Sequence, residues 1–497
     1  MYLSKSKYCL LTQCPRLLWL ETYHSELRPR DSALEERMVA GNQVGDLAMG
    51  LFGAFTEVTV LREDGTPDIA AMIRRTHECL QMGTANICEA SFSYEGLYCA
   101  VDILRKEGEG YAIYEVKSAT HGSHIYAVDI AYQKYVLEHC GIHVTGTYLV
   151  CINTDYVRGE ALDIHGLFKI LDLSEEVATE TPLIPERLRL AGETLASESE
   201  PNCAIGEHCR DPYDCAYWDY CTAHLPKPSV FDLYRISFKK ALAHYYKGKT
   251  SFTDMLSVPK LNDKQLRQIH FSLEDRGTYV NKDEIRGFLD TLSYPLYFLD
   301  FETMQQVVPE IPGTSPYQQI PFQYSLHYIE QPGGELHHRE FLAESGTDPR
   351  RAIAESLCRD IPRHACVTAY NRAFECSCLK ELADTFPDLA THLLAVRDNI
   401  QDLLTPFRSG WYYNRAMGGS FSVKSVLPAI FPEDPDLDYH NLEGVHNGSE
   451  AMDLFPKIKY LPPEEQLMAR RNLLEYCKLD TYAMVKIWQE LVRISKD

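Results

Sequence analysis

Hydrophobic and polar positions alternate with period two in two separate parts of the chain, and around them the spacing turns helical. From Ala90 the pattern is that of strands. Residues 91–94 and 97–104 predict a hairpin turning at Glu95-Gly96, and 111–117 predict a third strand reached through Gly108 and Gly110. Residues 129–137 read as a helix and 145–152 as a further strand. The second strand-rich part opens at Tyr297-Phe298-Leu299-Asp300-Phe301-Glu302-Thr303. It continues with 320–328, a strand beginning at 339–342, and a buried strand over 365–371. Helical spacing follows Pro15 (Leu17, Leu18, Leu20, Tyr23), runs over 32–52 and 226–290, and returns with Cys378, Leu379 and Leu382 and over 473–480. Strands interleaved with helices predict the α/β class.

A chain of 497 residues is too long for one core and predicts two to four domains. The composition, 45% hydrophobic and 24% charged, is that of an ordinary globular protein. With 49 Lys and Arg against 71 Asp and Glu, the net charge of −22 argues against a protein that coats polyanions, but leaves room for a nuclease with local basic grooves. An apolar run of about 18 residues is missing, which predicts no membrane span. Met1-Tyr2-Leu3-Ser4-Lys5 has no apolar signal core, so a cytoplasmic protein is expected. In that compartment sixteen cysteines point to metal, cluster or free thiols more than to disulfides.

Asp300 and Glu302 lie two apart in a predicted strand and share a face. Such paired carboxylates repel unless a cation lies between them, and hard oxygen donors suit Mg²⁺ or Mn²⁺. Asp102 and Glu115 fall on neighbouring predicted strands, with Lys117 two beyond Glu115. Two carboxylates to hold a divalent ion and a lysine to orient or deprotonate water are what metal-dependent phosphodiester cleavage needs. The competing reading is incidental surface charge on strands. Gln133 and Tyr135 sit on the next helix, where they would contact a nucleic-acid backbone or line a solvated face. Asn371 with Glu375 brings another carboxylate to a strand end, and Tyr476 and Asp480, at i and i+4, share a helix face. Cys203, Cys209, Cys215 and Cys221 are each separated by five residues in a stretch broken by Pro201, Gly206 and Pro212. That spacing favours an iron–sulfur or other metal site, zinc with His208 or His224 included. Cys14 taken alone reads as a small buried hydrophobe. Residues 246–256 have the look of a helix–turn–helix connection beside a modest basic patch (Lys239, Lys240, Lys247, Lys249), or of a plain helical linker.

Taken together, Cys14-Pro15-Arg16, Asp102, Glu115-Val116-Lys117, Gln133 and the later cysteines resemble RecB-type PD-(D/E)XK nucleases, in the iron–sulfur subgroup that includes the CRISPR-associated RecB-like exonucleases. The resemblance implies a restriction-endonuclease-like domain over 1–225. It also implies a [4Fe–4S] cluster on Cys14, Cys209, Cys215 and Cys221, with Cys203 and Cys9 in reserve. The sequence departs from the pattern in three ways. The usual close pair of cysteines is missing, and the tyrosine expected four positions after Gln133 is replaced by Tyr135 two positions on. Gly45 stands where a helix histidine is expected, leaving Glu36 or Glu89 as substitute ligands.

Beyond a helical linker over 226–290, residues 291–497 resemble the DEDD exonucleases of the RNase H-like superfamily, in the subgroup with a tyrosine in its last motif. Asp300 and Glu302 match the first motif, Asn371 with Glu375 the second, and Tyr476 with Asp480 the third. This resemblance implies a mixed five-stranded sheet flanked by helices, four acids holding two Mg²⁺ or Mn²⁺ ions, and Tyr476 positioning the attacking water. Glu375 stands where aspartate is usual, and Asp398 or Asp402 is the alternative third acid. The combination resembles bacterial fused nucleases and implies a DNA exonuclease acting on single-stranded ends in repair or in anti-phage or CRISPR-linked defence. The alternatives are an RNA-processing exonuclease and a nucleic-acid-binding scaffold with one or both sites inactive.

Overall fold

The computed structural model describes residues 2–29 and 32–496, with backbone alone for 32–38 and 40. The chain is of mixed α/β class and divides into two compact units. Unit 1 comprises Met1–His224 and Gln306–Tyr317, and unit 2 comprises Leu225–Gln305 and Gln318–Asp497. Residues 226–290, expected as a linker, are therefore part of unit 2, while Gln306–Tyr317 groups with unit 1.

Unit 1 is built on a sheet of seven strands: β1 (Leu3–Ser4), β2 (Thr56–Glu57), β3 (Asn86–Tyr94), β4 (Leu97–Glu107), β5 (Gly110–Lys117), β6 (Val144–Ile152) and β7 (Phe168–Asp172). Their order is β2-β3-β4-β5-β6-β7, with β1 pairing parallel to β4. The β3–β4 hairpin turns where Glu95 (φ 48°) and Gly96 (φ 83°) both take positive φ, the combination whose twist matches antiparallel strands. After the helices α1 (Lys5–Gln13), α2 (Pro15–Tyr23), α3 (Ser32–Met49) and α4 (Ile69–Met82), the parallel strands β5 and β6 need a crossover, which α5 (His124–His139) supplies. Alternation along the strands sorts the core onto two faces. Ile113, Leu149 and Cys151 join Ile130, Tyr132 and Val136 of α5, whereas Ala112, Tyr114, Val150 and Ile152 face Val44 and Ala48. Val44 and Ala48 belong to the helix Ser32–Met49. Val308 of the Gln306–Tyr317 segment completes that second face. The segment is tied in by the Gly313 N–H donating to the Arg158 carbonyl (2.7 Å), the Arg158 N–H donating to the Thr314 carbonyl (2.9 Å), and the Tyr317 hydroxyl donating to the Ser118 carbonyl.

In unit 2, β8 (Thr278–Val280) pairs with Tyr412–Asn414, and a separate five-stranded sheet has the order β11-β10-β9-β12-β13. These strands are β9 (Leu296–Met304), β10 (Ile320–Ile329), β11 (His337–Leu342), β12 (Cys366–Ala369) and β13 (Ile400–Asp402). β10 runs antiparallel to both neighbours, and β9, β12 and β13 are parallel. On central strand β9, Tyr297, Leu299 and Phe301 pack with Ile353, Leu379 and Leu393. The alternate residues face the other way, where Phe298 meets Trp488 of the long helix Pro463–Lys496 at 5.8 Å between ring centroids. Within 226–290, Val230, Ala241, Phe252, Met255 and Ile269 form a small core of their own. The helices Phe238–Tyr245 and Phe252–Met255 flank a turn at Gly248, and Lys239, Lys240 and Lys247 are exposed. Among the described residues, no helix is long and apolar enough to cross a membrane.

Candidate active sites

In unit 2, Asp300 and Glu302 share the face of β9 that the helix Pro463–Lys496 crosses. That helix turns Tyr476, Cys477 and Asp480 toward them. The Cys477 thiol lies 3.7 Å from Asp300 Oδ2, and one ligand atom each from Asp300, Glu302 and Cys477 fall within 4.8 Å of one another. Glu375 enters from the first turn of the helix Ala373–Thr385, which follows β12. It is 2% exposed, and among the described residues its Oε2 has no hydrogen-bond partner. Asp480 accepts a hydrogen bond from the Tyr439 hydroxyl at 2.6 Å.

Burial, then repulsion from Asp480, Glu302 and Glu375, pushes the Asp300 carboxyl well above its usual range. Glu302 is raised by burial and by Asp480, against a lowering pull from Lys424. Burial and Asp402 raise Glu375 to about 8. Asp480 rises to about 6 through burial, offset in part by hydrogen bonds from Tyr439 and Tyr476 and by Lys424. Asp300 and Glu302 lie within reach of one ion, Asp480 and Glu375 are near enough to repel Asp300, and one Glu375 oxygen is orphaned among the described residues; such oxygen donors fit Mg²⁺ or Mn²⁺.

Asp402, which lies near Glu375, and Asp398 each have partners of their own. Asp402 accepts the Asn371 N–H (3.0 Å) and the Leu404 N–H (3.1 Å) and pairs with Arg408 at 2.6 Å. Asp398 pairs with Arg397 at the surface, 2.7 Å away. Asn371 takes φ 71°, which turns its N–H onto Asp402. Beside the acids lies a cavity of about 980 Å³ lined by Lys424, Phe431, Tyr439, His440 and His446 among others. Lys424 and Tyr439 sit in stretches with no sequence pattern to mark them. Cys477 was visible only as the neighbour of Tyr476.

In unit 1, β4 and β5 pair as far as Ile103↔Tyr114, so the same register sets Asp102 opposite Glu115. Glu115 is fully buried and held on all sides. Lys117 Nζ donates to its Oε1 (2.5 Å), Gln133 Nε2 to its Oε2 (2.7 Å), and Lys5 Nζ to both oxygens (3.0 and 3.1 Å). Lys5 Nζ also lies 3.6 Å from Asp102 Oδ1, while Asp102 Oδ2 accepts the Val116 N–H at 2.6 Å. Asp129 holds both Lys117 (3.0 Å) and Gln133 (3.0 Å). Burial disfavours the Glu115 carboxylate, but Lys117 and Lys5 outweigh it and hold its pKa far below the usual range. Burial and Glu115 raise Asp102 to about 6.

Glu89, opposite Asp102, has φ 56° and interrupts the ladder between Cys88↔Ile103 and Ala90↔Val101. Burial and Asp102 raise its carboxyl to about 7. Of the two substitutes for a helix ligand, Glu89 thus stands beside the cluster, and the side chain of Glu36 lies outside the described residues. A side chain built on Gly45 would meet open space. Gln133, expected near a nucleic-acid backbone, is buried within the cluster, where its Nε2 donates to Glu115 and Asp129. Tyr135, about 200° round an ideal helix from Gln133, packs its ring centroid 4.1 Å from that of His139 and lies against the core. Lys5 and Asp129 were not singled out by sequence. The signal for Asp129 was its i, i+4 spacing to Gln133.

This second acid set does not fit a divalent ion as arranged, because the Lys5 ammonium fills the position between Asp102 and Glu115.

Unit 1 also gathers thiols. Cys14, at the junction of α1 (Lys5–Gln13) and α2 (Pro15–Tyr23), shares a pocket with Cys203, Cys209, Cys215 and Cys221. Cys14 and Cys203 are 3.4 Å apart, and Cys203 lies 3.6 Å from His208 Nε2. Arg16 donates to the Cys221 sulfur at 3.8 Å. Burial lifts the Cys14 and Cys215 thiols to about 11. Five soft donors converging from distant parts of the unit fit a cluster or a zinc ion. Cys203 therefore belongs to the group in contact. Cys9 does not: it packs on the sheet core, with Asp129, Lys117 and Lys5 as its charged neighbours.

Residues 297–422 match the family model of a domain of unknown function (DUF2779). That stretch is similar to the family from β9 to just short of Lys424, and it holds Asp300, Glu302 and Glu375 but not Tyr476 or Asp480. A comparison with curated proteins finds no match.

Proposed function

We propose that this chain is a metal-dependent nuclease that hydrolyses phosphodiester bonds of DNA, working exonucleolytically on single-stranded ends. The observation that carries the reading is the convergence of Asp300, Glu302, Glu375 and Asp480, with the Glu375 Oε2 left without a partner. A mixed five-stranded sheet with the first two acids on its central strand supports an RNase H-like assignment for unit 2. In unit 1, the antiparallel β3-β4-β5 with parallel β6 and the Asp102/Glu115/Lys117 set support a PD-(D/E)XK-like one.

Asp300, Glu302, Glu375 and Asp480 would hold Mg²⁺ or Mn²⁺. When bound, such an ion supplies positive charge at the scissile phosphate and a water of lowered pKa. The protein's own part is positional. Tyr476, held protonated by burial and by Asp480, orients the attacking water as a hydroxyl, not as a phenolate base. Tyr439 fixes the rotamer of Asp480, and Lys424 adds charge on the side of the 980 Å³ cavity, which has room for a terminal nucleotide. Cys14, Cys209, Cys215 and Cys221, or a set in which Cys203 replaces one of them, would hold a [4Fe–4S] cluster that ties the start of unit 1 to residues 203–221, with zinc the alternative. The expected setting is the cytoplasm.

The test is cleavage of end-labelled single-stranded DNA and of RNA of the same sequence with Mn²⁺, for the native protein, Asp300→Asn and Asp480→Asn. Mononucleotides should be released from DNA by the native protein alone. Cleavage that persists unchanged in both variants sinks the reading, and preference for RNA moves it to RNA processing.

A further inference from the structure

We propose that Lys5 is a built-in cation of the unit 1 carboxylate cluster, which keeps Asp102 and Glu115 from taking a divalent metal while it is in place. The inference goes beyond the reading of unit 2 and does not depend on it.

The position of Lys5 is fixed from both sides. Before it, β1 pairs with β4 (Leu3↔Leu97, Ser4↔Tyr98), the Leu3 N–H donates to the Gly96 carbonyl (3.0 Å), and the Tyr132 hydroxyl donates to the Leu3 carbonyl (2.6 Å). After it, Ser4 caps α1 by accepting the Lys7 N–H at 3.3 Å. The ammonium has no slack main chain to carry it away.

The acceptors it meets leave little for another cation. Glu115 Oε1 is shared by Lys5 and Lys117, and Oε2 by Lys5 and Gln133. Asp102 Oδ2 takes the Val116 N–H, so Oδ1, 3.6 Å from Lys5, is what remains. Mg²⁺ demands near-octahedral oxygen donors at about 2.1 Å and would have to take these same atoms from the ammonium. A divalent ion placed on these atoms beside the Lys5 and Lys117 ammonium groups would be strongly repelled by both. Gly45 adds no donor, and the helix that carries it leaves open space at that point. Unit 2 presents the opposite arrangement, with its acids mutually repelling and one oxygen orphaned. The two carboxylate sets thus differ in what neutralises them: an internal lysine in one, an added ion in the other.

The experiment uses the full chain with Asp300→Asn and Asp480→Asn, so that unit 2 is silenced, and follows Mn²⁺ binding by calorimetry and by the paramagnetic resonance of free Mn²⁺. Adding Lys5→Met should create a site at least tenfold tighter than any in the parent, and Asp102→Asn should abolish it. Lys5→Arg, which keeps the charge, should bind like the parent. Lys5→Gln, nearly the same length, serves if Lys5→Met does not fold, as judged by its near-ultraviolet circular dichroism. The proposal is overturned if the parent already binds Mn²⁺ in an Asp102-dependent way as tightly as the Lys5 variant, or if removing the ammonium gains no binding. Neither outcome touches the Asp300-dependent cleavage that tests unit 2.

Discussion

Asp300 carries a cost that its neighbours do not relieve. Its carboxyl is raised by burial and by three other acids, so ionising it at neutral pH opposes folding. Asp300→Asn keeps the shape and removes the charge. We expect the metal-free variant to melt higher than the native protein, on the order of 2–4 °C for each kcal/mol relieved, and to cleave nothing. The pH dependence fixes the sign. A carboxyl whose folded pKa lies above its unfolded value contributes stability that is full below the unfolded pKa and lost as pH rises through the folded one. For Glu375 that window runs from 4.5 to about 8, and for Asp480 from 3.8 to about 6. Metal-free protein should therefore lose stability from pH ~4 to ~8, less steeply in Asp300→Asn, and saturating Mn²⁺ should restore it, as calorimetric melts across that range will show. Residues at this scale were legible in the sequence where a period betrayed them. Asp300 and Glu302 were two apart in a strand, and Tyr476 and Asp480 four apart in a helix. Lys5 was not legible, because its partner Glu115 lies 110 residues away and nothing local marks the pair.

At the scale of elements, strands and helices with a clean apolar period were readable, the β3–β4 hairpin and α5 above all. What escaped was backbone that departs from the period. Glu89 takes positive φ inside a strand, breaking the ladder where its carboxyl meets Asp102, and no pattern of apolar residues encodes that. The β12 strand ends at Ala369, short of the expected 371, because Asn371 adopts the left-handed conformation at φ 71° that carries the chain into the helix bearing Glu375. Asparagine tolerates this region and a β-branched residue does not. Asn371→Gly should leave stability within about 0.5 kcal/mol of the native protein, whereas Asn371→Val should cost about 1–2 kcal/mol by urea denaturation and displace Glu375. The residues over 226–290 read as a linker because their apolar positions are few, and those few form a separate small core inside unit 2.

At the scale of the whole molecule, the pattern of two strand-rich parts announced two units but not their exact membership. The thiol pocket is a second feature of this scale, since Cys14 and Cys221 lie at opposite ends of the 1–224 stretch. If the pocket holds an iron–sulfur cluster, protein purified without oxygen should be brown and contain iron. Cys14→Ser should then lose the colour and render unit 1 more sensitive to protease, and stoichiometric zinc without iron assigns the pocket to zinc instead. Protease mapping reads the change in unit 1 directly.

The membership of Gln306–Tyr317 has a consequence for synthesis. Val308 packs in the core of unit 1, yet it is encoded after Leu225–Gln305 and directly behind β9. As the chain leaves the ribosome, unit 1 cannot complete that face of its sheet until the first strand of the other unit's main sheet has already been translated. The two units are thus folded on an interleaved schedule. A nascent chain halted at His224 should leave that face of the unit 1 sheet open to chaperones, and one long enough for Gln306–Tyr317 to emerge should have it covered.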